Sequence, residues 1–214
     1  MPPIFRKMSD SVQELNSNKR DNVTAGANCQ ISPQASLRNV VLGDNVRVAD
    51  GVQLWNVVVG GDSKISRNVT LYSNVAERPV LVGKWCWISF GVFGEGTGGE
   101  IKIEDHVTIA HLSTILSGSG PGVNSPILSQ LYPDQLGPVV IGAHSWVGAH
   151  CLILPEVVLE EGVVIAANSV VKTRCESWSV YGGSPAKLLK KMPANMVEVA
   201  RSRWRTGFIS PAGR

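Results

Sequence analysis

Ile141-Gly-Ala-His-Ser-Trp, Val147-Gly-Ala-His-Cys-Leu, Ile153-Leu-Pro-Glu-Val-Val, Leu159-Glu-Glu-Gly-Val-Val, Ile165-Ala-Ala-Asn-Ser-Val: cut at its aliphatic positions, the run from Ile141 to Val171 repeats every sixth residue. That interval matches neither the helical period of about 3.6 nor a strict alternation of two. A short extended piece followed by a turn satisfies it. Stacked units then bury one aliphatic column that no single unit could shield from water. The reading is all-β, a parallel β-helix.

The same frame runs upstream. Leu42-Gly-Asp-Asn-Val-Arg, Val48-Ala-Asp-Gly-Val-Gln and Leu54-Trp-Asn-Val-Val-Val keep phase, as do Ile65-Ser-Arg-Asn-Val-Thr and Leu71-Tyr-Ser-Asn-Val-Ala. Val82-Gly-Lys-Trp-Cys-Trp, Ile88-Ser-Phe-Gly-Val-Phe, Ile103-Glu-Asp-His-Val-Thr and Ile109-Ala-His-Leu-Ser-Thr continue it. Branched residues suit the extended pieces, and Gly, Asn and Asp suit the turns. Three stretches break the pattern. Residues 1–25 are polar and non-repetitive, an N-terminal arm. The Gly-rich turn 94–100 has no following Lys-Ser/Thr, so it makes a poor phosphate loop. Residues 116–138 form a long insertion, a length that is functional or disordered inside a compact domain. The repeats then define a domain over 26–190, with 191–214 as a tail whose segment Ala194 to Trp204 is amphipathic and helical.

At 214 residues the chain is long for one globular core, but a solenoid grows along its axis. No apolar run reaches the ~18 residues of a membrane helix, and the start, with Arg6, Lys7, Asp10 and Glu14, has no signal-peptide core. Cys29, Cys86, Cys151 and Cys175 lack CxxC spacing. The expectation is a cytoplasmic protein. The net charge is +3, and the excess falls late, at Lys172, Arg174, Lys187, Lys190, Lys191, Arg201, Arg203 and Arg205. With no interleaved aromatic motif, this reads as a local anion site and excludes a nucleic-acid partner. Trp55, Trp85, Trp87, Phe90 and Phe93 are expected on one side of the solenoid, as a subunit interface.

Ile141-Gly-x-x-x-Trp146, Pro155, Ala166-Ala-Asn-Ser-Val-Val171 and Gly182-Gly-Ser-Pro-Ala-Lys187 together resemble the hexapeptide-repeat acyltransferases. The similarity is greatest to the branch holding maltose and galactoside O-acetyltransferases and polysaccharide O-acetyltransferases. It is close over 141–190 and loose over 30–171. It implies a left-handed parallel β-helix, a homotrimer, and acetyl-CoA as co-substrate in the groove between subunits. The acceptor would be a sugar, sugar nucleotide or glycan, in surface-polysaccharide assembly. Carried over by motif, Trp146 lies beside the CoA arm. Gly148 and Ala149 give it room, Ala149 and Ala167 offer backbone contacts, and Lys172, Thr173 and Lys190 stand near the phosphates. A lysine acts at a phosphate as a point charge.

On the acceptor side the pattern departs. Members of the resembled branch carry a histidine just before the insertion; here Ser117-Gly-Ser-Gly120-Pro places Gly120 there. A hydroxyl attacking a thioester needs a base. Either another residue serves, the loop alignment is displaced, or catalysis is lost and the chain is a non-catalytic trimer that binds CoA or a partner. His111, third in its hexad, is the candidate catalytic base, resembling the histidine of related sugar N-acyltransferases. His144 and His150 read as structural and His106 as solvent-facing. His106 and His111 share the His-x4-His spacing of γ-class carbonic anhydrases, but their registers differ and a third ligand near Thr70 to Asn74 is missing. Zinc takes three protein ligands, so no metal is expected.

Overall fold

Short branched segments fold back on themselves in three directions, and the pairings between them define three faces. The computed structural model describes residues 20–122 and 124–207. Face 1 stacks 53–55, Thr70–Tyr72, Phe93–Glu95, Thr114–Leu116, Leu152–Ile153 and Val170–Val171, all parallel. Face 2 stacks 57–59, Val80–Val82, Ile101–Ile103, Val139–Ile141 and Val158–Leu159. Face 3 runs from Gln30–Ile31 through Arg47–Val48, Lys64–Ile65, Trp87–Ile88, Thr108–Ile109 and Trp146–Val147 to Val164–Ile165 and Ser179–Gly183. Each residue therefore pairs with the one a full coil later, as Trp146 does with Val164. This is a parallel β-helix.

The aliphatic residue that opens each hexad points inward. Ile65, Ile88, Ile109, Val147 and Ile165 form one buried column, and Val59, Val82, Ile103, Ile141 and Leu159 another. Truncating one such isoleucine to alanine costs about 2–5 kcal/mol in a packed core. The corners repeat as strictly. At the corner from face 3 to face 1 (the 3/1 corner), Asn68, Leu112, His150 and Asn168 take φ between 57° and 58° or, for Asn168, 61°; at the corner from face 2 to face 3 (2/3), His106 and His144 take 60° and 61°. Asn and Asp enter that left-handed region more easily than branched residues do. The N–H of each such residue donates to a carbonyl in the preceding coil: His150 to His111 at 2.9 Å, Asn168 to Ala149 at 2.8 Å, His144 to Asp105 at 3.0 Å. Buried serines stitch the remaining gaps, as where the Ser113 hydroxyl donates to the Gly148 carbonyl (2.8 Å) and accepts from the Cys151 N–H (3.1 Å).

Residues 73–79, 96–100 and 117–138 all leave the helix at the same place, between the end of face 1 and the start of face 2. The longest closes on itself through an antiparallel pair, Gly118–Ser119 with Gln135–Leu136, and carries the short helix Leu128–Leu131. At the N-terminal end Arg20–Ala25, within the segment read as an arm, is a strand paired in parallel with Ser36–Leu42; residues 1–19 of that arm lie outside the described residues. At the other end Ala186–Lys191 returns antiparallel on Ser179–Gly183, and the helix Ala194–Arg205 follows. No helix among the described residues is long and apolar enough to cross a membrane.

One expectation fails. The aromatic residues do not share a side: Trp55 and Phe93 stand on face 1, Trp87 on face 3, Phe90 at the 3/1 corner and Trp85 at the 2/3 corner. The uninterrupted coil rounds two corners between Trp85 and Phe93, at Trp85 and at Gly91, so closeness in sequence does not translate into one patch.

Candidate functional site

At the 3/1 corner the residue before each left-handed position forms a column, and His111, Ala149 and Ala167 occupy three successive coils of it. Here the sequence-predicted residues converge. Ala167 and His111 are exposed, Ala149 is half-buried, and Trp146 stands on face 3 leading to the corner with 53% of its surface exposed. The N–H groups of His111, Ala149 and Ala167 have no acceptor among the described residues. The corner thus presents a line of open backbone donors with methyl groups as its only bulk in the last two coils, beside an indole face and under an imidazole. Amide carbonyls of an extended ligand, or an oxyanion, fit such donors.

The other expected residues separate. Gly148 is buried, and a Cβ there would strike the backbone of Ile165 and Ala167; coil-to-coil contact accounts for the glycine. Lys190 lies at the C-terminal end of face 3, opposite Val180. Lys172 and Thr173 follow Val170–Val171 at the corner from face 1 to face 2, where Lys172 lines a 430 Å³ cavity with Asp134, Leu136, Leu154 and Glu156. Within one subunit, therefore, Lys190 stands on the last strand pair of face 3 and Lys172 at the corner from face 1 to face 2. Gly120, where the resembled branch has histidine, is filled from outside: an added Cβ would collide with the Asp134 carboxyl, which also accepts the Gly122 N–H at 3.1 Å.

His106 and His144 are structural in a way the sequence did not disclose, whereas the His150 side chain is exposed at the 3/1 corner. His106 does not face solvent; it is half-buried and stacked on His144, 4.9 Å between ring centres and 3° between planes. Trp85 continues the stack on one side and Trp178 on the other. Trp204, from Ala194–Arg205, meets both imidazoles nearly at right angles at 4.6 and 4.8 Å. Burial, and then the neighbouring His144, push the His106 pKa down. Since His106 belongs to the 2/3 corner and His111 to the 3/1 corner, the pair does not converge, and no group of three or more His, Cys, Asp or Glu among the described residues could hold a metal. The buried thiols are poor nucleophiles, Cys86 and Cys175 being pushed up to about 11 by burial. Glu160 is held down to about 2 by the hydroxyl and N–H of Ser177 and by Arg174, which clips the last coil to its closing segment.

Residues 138–173 match the family model of the bacterial transferase hexapeptide (six repeats). That stretch of the chain carries the transferase hexapeptide repeat. Among curated proteins it is 33% identical over 119 residues to a dTDP-4-amino-4,6-dideoxy-D-glucose acyltransferase of Escherichia coli, a stretch covering 53% of this chain and 62% of that one. It is 36% identical over 120 residues to a probable macrolide acetyltransferase of Lysinibacillus sphaericus, covering 56% and 63%. The chain therefore spans less than two thirds of the length of either relative. Among solved structures, AntD, an N-acyltransferase from Bacillus cereus in complex with dTDP and 3-hydroxybutyryl-CoA, superposes with a TM-score of 0.56 at 23% identity, over 94% of this chain and 97% of that one. At that identity the likeness shows the fold.

Proposed function

We propose that this protein is an acetyl-CoA-dependent O- or N-acetyltransferase acting on a sugar, sugar nucleotide or glycan, in surface-polysaccharide or related glycan assembly, and that it works as a homotrimer of left-handed β-helices. The observation that carries this is the 3/1 corner: His111 in line with Ala149 and Ala167, their N–H groups open and Trp146 alongside. An extended pantetheine arm can lie on that column and pair its amides with those donors, while small side chains let it approach. Exposed aromatics flank the corner on both faces that meet there, Trp55 on face 1 and Trp87 and Trp146 on face 3. Such area suits a neighbouring subunit closing the groove. Lys172 and Thr173 of one subunit and Lys190 of another then become candidates for the CoA phosphates, which explains why they need not meet within one chain.

In the reaction, the acceptor oxygen or nitrogen attacks the thioester carbon, the C–S bond breaks, and CoA leaves as its thiol. His111 takes the proton from the acceptor, and backbone N–H groups hold the oxyanion. Thiol release from acetyl-CoA, followed against a panel of glycans and sugar nucleotides, tests the activity. Light scattering that gives the mass of a monomer, 22.9 kDa, at micromolar concentration would exclude any shared groove. Gly120 favours a second reading, a trimer that binds CoA without chemistry, because its place is filled by Asp134 rather than by a base of the expected kind. CoA binding with no turnover on any acceptor would select that reading.

A further inference from the structure

The 3/1 corner holds two large apolar side chains for which the CoA arm has no use. Phe90 stands in the same column as His111, one coil before it, and Leu112 follows His111 directly. The Leu112 N–H donates to the Phe90 carbonyl at 2.9 Å and joins the two coils. Phe90 is 41% exposed and Leu112 45%. An arm rising along Ala167 and Ala149 to a thioester at His111 would lead its acyl chain straight onto this pair. We propose that Phe90 and Leu112 form the acyl subsite of the acyltransferase reading, and that it takes neutral straight-chain acyl groups longer than acetyl, of about butyryl length. The inference rests on that reading and widens its donor.

The backbone marks Leu112 as a special position. It takes φ 58° and is the only aliphatic residue in the left-handed region among the described residues. That region is costly for a leucine; in other coils the same position of this corner is Asn68, Gly91, His150 or Asn168. Strain of this kind collects at ligand sites, where another requirement fixes the residue. The large left-handed residues of the 2/3 corner are accounted for by their ring stack. Leu112 belongs to the other corner, and at nearly half exposed its burial within the subunit does not offset the cost. The preceding coil also clears space for it. Gly91 has φ 66°, and a Cβ there would lie only 2.6 Å from Leu112 Cδ2. The leucine therefore lies back over the coil that carries Phe90.

The patch is bounded, and its bounds set the length of chain it takes. His111 marks the level of the reacting carbon, and one coil, about 4.8 Å, separates it from Phe90. One coil further, Arg67 occupies the same column, its side chain 73% exposed and held only by Asp50 at 3.8 Å. A neutral chain gains by lying on Phe90 and Leu112 and stops short of that guanidinium. An acetyl group, with one methyl beyond its carbonyl, leaves both side chains in water. Each further methylene buried there should tighten binding about fourfold.

Titration calorimetry on the intact protein with CoA and with acetyl-, propionyl-, butyryl-, octanoyl- and succinyl-CoA tests this without an acceptor. Butyryl-CoA is expected to bind about tenfold tighter than acetyl-CoA, for two added methylenes, with propionyl-CoA between them and octanoyl-CoA no tighter than butyryl-CoA. Leu112→Asn gives the position the residue this corner carries at 68 and 168, so the fold should hold; Phe90→Ser removes the ring. Each should cut the butyryl preference severalfold and leave the affinity for CoA itself, and the melting temperature, in place. If CoA does not bind at all, the acyltransferase reading falls and this inference with it. If CoA binds but butyryl-CoA gains nothing over acetyl-CoA, the acyl subsite alone is overturned. A preference for succinyl-CoA would overturn the neutral chain and make Arg67 the recognising group. Variants that weaken CoA as much as butyryl-CoA, or that change the mass seen by light scattering, would put Phe90 and Leu112 on the CoA arm or at a subunit contact and overturn the assignment.

Discussion

Two corners of the same coils have opposite characters. At the 2/3 corner the backbone donors are consumed from within: Asp105 Oδ1 accepts the Lys84 N–H at 2.8 Å, Glu104 Oε2 the Ala143 N–H at 3.1 Å, and Asp44 Oδ1 the Ala27 N–H at 2.7 Å. Its side chains are rings, stacked on one another and covered by Trp204, with Arg201 lying 5.2 Å over Trp178 and paired with Glu161. At the 3/1 corner the equivalent donors of His111, Ala149 and Ala167 are open, and two of the three side chains are methyl groups. One fold makes both corners with the same turn. The difference lies in whether the neighbouring coil supplies a carboxylate and whether the column is filled, so a site here is made by leaving things out.

The sharpest way to break this contrast is to remove one histidine from each corner. His111→Ala should cut turnover by roughly 10²–10⁴-fold, the usual loss with a general base, while melting temperature and CoA affinity stay put. His106→Ala should do the reverse. A His111→Ala enzyme of wild-type rate removes His111 from the chemistry and moves attention to Asp134 or His150. Filling the open corner comes next: Ala149→Leu or Ala167→Leu should weaken CoA about tenfold to a hundredfold, the penalty of 1–3 kcal/mol for forcing atoms into a fitted contact. The same exchange at Ala143 should leave CoA affinity alone, and equal losses at both corners would refute the assignment. For the phosphates, Lys172→Ala and Lys190→Ala should each cost CoA several-fold to tenfold, and dephospho-CoA less. Equal losses for the two ligands would place the lysines elsewhere.

The smallest effect concerns the filled corner. Trp204→Ala should destabilise by on the order of 1 kcal/mol, the scale of aromatic pair contacts, visible as a melting shift without loss of activity per trimer. Docking of Ala194–Arg205 should also depend on pH. The folded-state pKa of His106 lies below its ordinary 6.5, so this contribution is fully present above 6.5 and is lost as the pH falls below that value and through the depressed one. His144, Arg201 and Arg205 add positive charge at that edge, and Asp105 and Glu161 partly offset it. Trp fluorescence between pH 8 and pH 5 measures it; a flat profile in the wild type, or an unchanged slope in His106→Ala, would show that His106 does not gate the helix.

Much of this architecture was legible because the hexad is a local rule. Ile141 to Val171 has no insertion, and there residues six apart in sequence land on predictable faces, which is why Trp146, Ala149 and Ala167 were read as one site. The five aromatics were misplaced because the chain turns through two corners between Trp85 and Phe93, so neighbours in sequence land on different faces. The imidazole stack was missed for a different reason. His106 and His144 belong to coils separated by the insertion, and Trp204 arrives from outside the repeats, so no spacing in the chain announces their contact. The apolar pair beside His111 had a signal that went unused: Leu112 is fourth in its hexad, the turn position that Asn68, Gly91 and Asn168 fill in theirs.

All three insertions emerge where face 1 gives way to face 2, and this has a consequence for how such a protein can change. The ladder bonds on either side of that corner are made by residues before and after the loop, so the number of residues between them is free of registry. In an unstructured loop each doubling of length costs only about 0.6 kcal/mol of closure entropy, far less than displacing a single inward isoleucine. Lengthening or shortening 117–138 can therefore re-tailor whatever the protein embraces while the solenoid, counting in sixes, registers no change at all.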